Sequence, residues 1–92
     1  MKIRVIVYGV FREVFEKDKI DFELKGPANV GDLLKLLCDS DKRRQYIFDQ
    51  YGEIKPIVIL LKNGRHINSL HGTQINLDEG DKIEVLPMVS GG

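Results

Sequence analysis

One amphipathic helix stands between two groups of apolar strands, and this order restricts the fold more than any other feature of the sequence. Asn29 has a side-chain oxygen that can cap the first turn of a helix, and Asp32 favours the positive end of the helix dipole. The apolar residues that follow the cap recur with the spacing of one helical face. They are Val30, Leu33, Leu34, Leu37 and Cys38. The spacing therefore predicts a helix with one apolar face directed at a core.

The segments on both sides of this helix have the composition and periodicity of β-strands. The first is rich in β-branched residues, and the second alternates apolar with charged residues, as half-buried edge strands do. After the helix, Pro56 precedes a long apolar run, and Asn63-Gly64 is a strong signal for a two-residue hairpin turn. An acidic turn at residues 78–81 leads into the last strand. The predicted strands are residues 2–8, 20–25, 57–62, 65–68 and 82–86.

This order predicts an α+β fold in which one main helix lies across one face of a mixed sheet of four or five strands. Residues 9–13 are predicted to be a connection, and residues 42–48 a second, shorter helix. If the first and last strands are neighbours in the middle of the sheet, they run parallel. The chain then leaves the sheet beside the end of the first strand, near Phe11 and Arg12.

The composition narrows the classes of function. The chain has 92 residues, which suits one domain over residues 1–92, and its 14 basic residues balance 14 acidic ones. Neither nucleic acid nor a membrane is predicted as a partner, because the net charge is zero and no apolar run approaches the roughly 18 residues of a membrane-spanning helix. A single cysteine, Cys38, and the lack of a signal-peptide core favour the cytoplasm. Cys38, His66 and His71 form no cluster with metal-ligand spacing, so no metal site is predicted.

The last six residues are Pro87-Met88-Val89-Ser90-Gly91-Gly92. Glycine weakens the interior of a fold, because it loses the most backbone freedom on ordering and has no side chain to pack. Two final glycines instead suit a thin arm that can enter a narrow channel and present a carboxylate with no Cβ nearby. We therefore predict a flexible tail over residues 87–92, with Gly92 as the reactive residue. The alternative is an ordinary frayed terminus.

Four segments resemble a known family. They are Lys62-Asn63-Gly64-Arg65, Leu70-His71-Gly72, residues 77–83 and residues 87–92. The chain resembles the β-grasp sulfur carriers: the small subunit of molybdopterin synthase, the thiamine-biosynthesis sulfur carrier and the archaeal ubiquitin-like small modifiers. Residues 30–34 are similar to the start of the family's helix, and residues 11–13 to the segment after its first strand. Met88 stands where the molybdopterin-synthase subunits often carry a second proline.

The resemblance implies a ubiquitin-like β-grasp fold and a carrier that is not an enzyme by itself. It implies that a separate E1-like enzyme uses ATP to adenylate the Gly92 carboxylate, and that no cofactor is bound by the carrier. A sulfurtransferase or persulfide donor would then supply sulfur for a thiocarboxylate, most simply for molybdopterin, with the substrate pocket in the large subunit of molybdopterin synthase. The alternatives are a modifier joined through Gly92 to lysines of target proteins, a thiamine or tRNA sulfur carrier, and a plain interaction module.

Alternation along the strands predicts the surface that partners contact, since successive side chains point to opposite faces of a sheet. The set expected to face the helix is Ile3, Val5, Val7, Ile57, Ile59, Leu61, Ile83 and Val85. The set expected to form an exposed partner-binding surface is Ile6, Leu60, Leu86 and Met88. The alternative is that residues 42–51 fold over this second face and bury it.

Arg12, near the predicted exit of the tail, could pair with an acidic group or phosphate of a partner, or remain solvated.

Overall fold

A five-stranded mixed sheet carries three α-helices on one face. The structure is a computed structural model that describes residues 1–70 and 72–88, so His71 and residues 89–92 lie outside it. The strands are β1 (Lys2–Val7), β2 (Lys19–Glu23), β3 (Val58–Lys62), β4 (Arg65–His66) and β5 (Lys82–Pro87). The helices are α1 (Val10–Phe15), α2 (Val30–Leu37) and α3 (Asp41–Ile47), with 3-10 turns at Ile67–Leu70 and Gly72–Gln74.

The strands lie in the order β2-β1-β5-β3-β4. The first and last strands occupy neighbouring positions inside the sheet and run parallel, with Val5 beside Ile83 and Val7 beside Val85. The other three pairings are antiparallel. This confirms the predicted α+β architecture and the parallel contact between the chain's two end strands.

The helix with the clear apolar stripe forms as the sequence predicts. Asn29 caps α2, because its side-chain oxygen accepts the Asp32 N–H at 2.8 Å, and the Asp32 carboxylate accepts the Asn29 N–H at 3.0 Å. This reciprocal pair satisfies two backbone donors that would otherwise lack partners at the helix start. The stripe, including Cys38 just after the helix, is buried in the core.

The core lies between the helices and one face of the sheet. β1 and β5 contribute alternate residues to it, as expected from the period of two along a strand. All three helices contribute to the same cluster. Its fully buried members include Ile3, Val5, Val7, Phe11, Val30, Leu33, Leu34, Ile47, Leu60, Ile83 and Val85. Among the described helices, none is long and apolar enough to cross a membrane.

Helix α1 corrects the prediction that residues 9–13 form a simple connection. Phe11, Val14 and Phe15 are buried and have the i, i+3, i+4 spacing of one helical face, but the helix has only six residues. A pattern of this length is too short for periodicity alone to separate a helix from a loop. Arg43 of α3 fixes the end of α1, donating from Nε to the Val14 carbonyl at 3.3 Å.

Helix α3 lies on the same side of the sheet as α1 and α2. Its Ile47 is fully buried in the common core, and Phe48 packs against that core. The alternative in which this segment folds over the second face of the sheet is therefore wrong. The second face stays open to solvent along several apolar side chains, including Ile57 and Met88.

A buried carboxylate joins the hairpin turn after β3 to the turn before β5. The turn residues Asn63 and Gly64 both have positive φ, 50° and 86°, as the predicted two-residue turn requires. Asp81 accepts the Asn63 side-chain amide at 2.8 Å, the Asp78 N–H at 2.7 Å and Lys62 Nζ at 3.3 Å. Burial alone would raise the pKa of Asp81, but these three donors outweigh it and hold the pKa below its ordinary value.

We expect Asp81→Asn to lower the free energy of unfolding by about 2 kcal/mol at neutral pH, because the buried donors lose their charged acceptor. The pKa of Asp81 in the folded state is lower than the pKa of an unfolded aspartate, about 3.9, and this difference stabilises the fold. The stabilisation is complete above the unfolded pKa and is lost as the pH falls through the lower folded pKa. Urea unfolding at pH 7 and pH 3 should therefore show the difference between wild type and variant shrinking at the acidic pH.

Asp78→Asn is the matched control, because the Asp78 side chain is exposed in the same turn and lies 4.0 Å from Lys62 Nζ. We expect its effect to stay within about 0.5 kcal/mol. Equal effects of the two variants at pH 7 would contradict the role given to Asp81.

Candidate functional site

The open face of the sheet carries an apolar surface at the end where β5 finishes. Two strand registers define it: Ile59 lies opposite Leu86, and Leu61 lies opposite Glu84. Ile6 lies beside Glu84 from the other neighbouring strand. Met88 and Ile57 extend the surface and are each 55% exposed. We call this surface the open-face patch; its members are Ile6, Tyr8, Ile57, Ile59, Leu61, Leu86 and Met88.

Leu60 was predicted for this surface, and that prediction is wrong. Residues directly opposite in an antiparallel pair share a face, and Leu60 lies opposite the fully buried Val85. Leu60 is accordingly 1% exposed and belongs to the core. The expectation that Ile57, Ile59 and Leu61 face the helix is also wrong: Ile59 and Leu61 lie on the open face opposite Leu86 and Glu84, and Ile57 is exposed. Residues 57–61 are all apolar, so alternation along this strand could not reveal which side faces the core.

One carboxylate lies within the open-face patch. Glu84 has Ile6 and Leu61 as its direct neighbours on the two adjoining strands. The Tyr8 hydroxyl donates to Glu84 Oε2 at 2.6 Å, and this hydrogen bond to the charged carboxylate raises the pKa of Tyr8. Lys82 Nζ lies 3.8 Å from Glu84 Oε1. The sequence analysis missed Tyr8 and Glu84 because their pairing depends on the β1–β5 register.

The end of β5 is held on both sides. Pro87 was predicted to begin the tail, but it is the last residue of β5, and the Met88 N–H donates to the Ile57 carbonyl at 2.6 Å. On the other side Pro87 packs against Gly9. A Cβ at Gly9 would lie 2.8 Å from Pro87 Cγ, and the φ of Gly9 is 59°, so both the contact and the backbone require glycine.

Arg12 lies near this exit, as predicted. Its N–H donates to the Gly9 carbonyl at 3.1 Å, one turn after the glycine that touches Pro87. Its side chain is exposed beside Gly9 and Glu13 in a shallow cleft. The predicted tail residues Val89, Ser90, Gly91 and Gly92 lie outside the described residues, and so does His71.

The described residues contribute little chemistry of their own to this region. Cys38 is buried, and burial raises the pKa of its thiol to about 11, so it stays protonated at neutral pH and is a poor nucleophile. Within residues 1–70 and 72–88, no group of three His, Cys, Asp or Glu side chains is placed to hold a metal ion. The described part of this region is therefore an apolar surface beside the end of β5.

Comparisons with known proteins agree with this geometry. A mixed sheet with helices on one face and an open opposite face places the chain in the β-grasp class of sulfur carriers and ubiquitin-like proteins. The model of the ThiS family matches residues 5–92, and the chain belongs to that family.

Three similar proteins are archaeal. Small archaeal modifier protein 3 of Haloferax volcanii is 37% identical over 93 residues, which cover all of both chains. The solution structure of small archaeal modifier protein 1 from Methanosarcina acetivorans is 31% identical, covers 99% of this chain and 96% of its own, and gives a TM-score of 0.79. The crystal structure of SAMP1 from Haloferax volcanii gives a TM-score of 0.86 with both chains fully covered; at 24% identity it supports the fold alone.

We expect Gly9→Ala to destabilise the protein by about 1–3 kcal/mol, because alanine disfavours the positive φ and its Cβ collides with Pro87. Gly26→Ala is the matched control: Gly26 has a φ of 78° but nothing within 4 Å of an added Cβ. The penalty of Gly9→Ala in urea unfolding should exceed that of the control, and it should fall toward the control value in a Pro87→Ala background. Equal penalties at both glycines would contradict the packing role of Gly9.

A second prediction separates the two faces of β3. Leu60→Asp should unfold the protein, because an unpaired carboxylate in the core costs several kcal/mol against a total stability of about 5–15 kcal/mol. Ile59→Asp should remain folded, since its side chain lies on the open face. Circular dichroism melting distinguishes the variants, and a folded Leu60→Asp with an unfolded Ile59→Asp would reverse the assignment.

Proposed function

We propose that this chain is a sulfur carrier whose Gly92 carboxylate is adenylated and converted to a thiocarboxylate, and that its sulfur is used for molybdopterin. The observation that carries the proposal is the family match, which runs through residue 92 and so includes the Gly-Gly end. The fold supports it, because the sheet pairs β5 through Pro87 and Pro87 packs against Gly9, so the end of β5 has a defined position.

The chemistry explains why a second protein is needed. A carboxylate is a poor acyl donor, so a Gly92 oxygen must first attack the α-phosphorus of ATP and release pyrophosphate. The terminal sulfur of a donor persulfide then attacks the acyl carbon and AMP leaves, which gives an acyl disulfide. A second thiol attacks the donor sulfur, forms a disulfide with it and releases the thiocarboxylate. The E1-like enzyme and a sulfurtransferase or persulfide donor orient these groups and stabilise the developing charge. The carrier supplies reach and a terminus free of side chains.

The open-face patch is the proposed contact for the activating enzyme. A protein that covers Ile59, Leu86 and Met88 also lies next to the end of β5. Contiguous exposed apolar surface of this kind typically marks a protein interaction site. Arg12, on the other side of the exit, is the proposed contact for an acidic group or phosphate of the same partner. In molybdopterin synthase the substrate pocket would belong to the large subunit.

A second candidate function follows from a specific comparison. The relative that is 37% identical over both full chains is named a small archaeal modifier protein. In that role a lysine amine of a target protein displaces AMP from the adenylate, and the product is an isopeptide bond to Gly92. Both candidates share the same activated intermediate and differ in the group that attacks it.

Intact mass spectrometry separates the candidates after co-expression with an E1-like enzyme of the source organism. The carrier role predicts a mass increment that corresponds to replacement of one oxygen by sulfur. The modifier role predicts lysines of other proteins that carry residues 83–92 of this chain after digestion with trypsin, because Lys82 is the last trypsin site before Gly92. An unmodified mass and no conjugates, with an activating enzyme that is active on its own substrate, would contradict both candidates.

We expect Gly92→Ala to reduce adenylation at least about 100-fold, because a misplacement of roughly 1 Å at a reacting centre has an effect of this size. ATP–pyrophosphate exchange measures the loss. Ser90→Ala is the matched control in the same segment and should retain normal exchange. Normal exchange by Gly92→Ala would contradict the assignment of Gly92 as the reacting residue.

A further inference from the structure

Glu84 is a carboxylate in an apolar setting. Its direct neighbours on the open face are Ile6 on β1 and Leu61 on β3, and Leu86 follows on its own strand. Only 14% of its side chain is exposed, while the acidic side chains of the edge strand β2, Asp21 and Glu23, are 67% and 66% exposed. Glu84 therefore lies within the open-face patch, whereas the two β2 carboxylates are exposed at the β2 edge of the sheet.

The hydrogen bonds of Glu84 are incomplete. Oε2 accepts the Tyr8 hydroxyl at 2.6 Å, but within the described part of the chain no donor lies at hydrogen-bond distance from Oε1. Lys82 Nζ, at 3.8 Å from Oε1, is outside that distance, and its side chain is 47% exposed. No buried side-chain oxygen of the described residues lacks a partner, so Oε1 is open to water. A partner that covers the patch removes that water.

The loss of water decides what kind of partner fits. Covering an ionised carboxylate with apolar groups alone is strongly unfavourable, because its solvation is lost and nothing replaces it. A cation brought by the partner restores the interaction, and pairs of this kind have coupling energies that favour binding in measured interfaces. The weak contact to Lys82 does not replace the partner's cation, because an exposed ammonium at this distance contributes little.

We infer that the partner that covers the open-face patch places a cationic side chain, best an arginine, over Glu84. A planar guanidinium gives up its hydration more readily than an ammonium, and it can also stack on the exposed ring of Tyr8 beside the carboxylate. Glu84 then discriminates between partners: an apolar surface with an arginine binds, and one without it is rejected. This inference rests on the proposed function, with the activating enzyme as the partner.

The test compares two substitutions in ATP–pyrophosphate exchange with the E1-like enzyme of the source organism. Glu84→Gln removes the charge at constant shape, and Glu84→Leu makes the patch wholly apolar. We expect both to raise the KM for the carrier by about 10-fold or more with kcat nearly unchanged, because each leaves the partner's cation buried without its anion. Glu23→Gln makes the same change in net charge far from the patch and should leave KM unaltered.

The two substitutions separate the inference from its rivals. If the partner brings no cation, Glu84→Leu improves the apolar fit and lowers KM, which would overturn the inference, as would an unchanged KM. A raised KM accompanied by a large fall in the melting temperature of the free carrier would assign Glu84 a structural role. That result would also overturn the inference. Absence of exchange with the wild-type carrier would instead count against the proposed function itself, so the two failures are distinguishable.

Discussion

The parallel contact between β1 and β5 is the constraint on which the rest of the structure depends. It places the first and last strands side by side in the middle of the sheet, where Val5 and Val7 pack beside Ile83 and Val85 in the core. A parallel pair needs a long crossover connection, and everything between β1 and β5 serves as that connection. The same contact places the end of β5, at Pro87, beside Gly9.

A core on one side of the sheet leaves apolar side chains exposed on the other face. The three helices close one face, while the open-face patch keeps apolar side chains next to the end of β5. The proposed function needs both features, because a partner that activates Gly92 would have to hold the scaffold and receive the chain end at once. This surface is not wholly apolar, because it contains the carboxylate of Glu84, whose side chain is 14% exposed. A partner that covers the patch has to accommodate that charge.

The sequence predicted the fold well where local chemistry decides it: the cap at Asn29, the helical stripe and the Asn63-Gly64 turn all occur as expected. The prediction failed where the pairing of distant strands determines which face of the sheet a side chain lies on. The uniformly apolar β3 has no alternation, so the burial of Leu60 and the exposure of Ile59 follow only from pairing with β5. Helix α1 was missed for another reason, because six residues give too few turns to show a period. The partner-binding role of the patch and the reactivity of Gly92 rest on the family, and both stay predictions.

The most direct measurement of the central claim is an NMR titration of the methyl-labelled carrier with the activating enzyme. The account predicts that the methyl signals of Ile6, Ile59 and Met88 broaden or shift on binding. The signal of Leu36, which is 53% exposed on α2 away from the sheet, should stay unchanged. Perturbation of Leu36 with unaltered signals from Ile59 and Met88 would show that the helical side is the contact surface, and it would contradict the account.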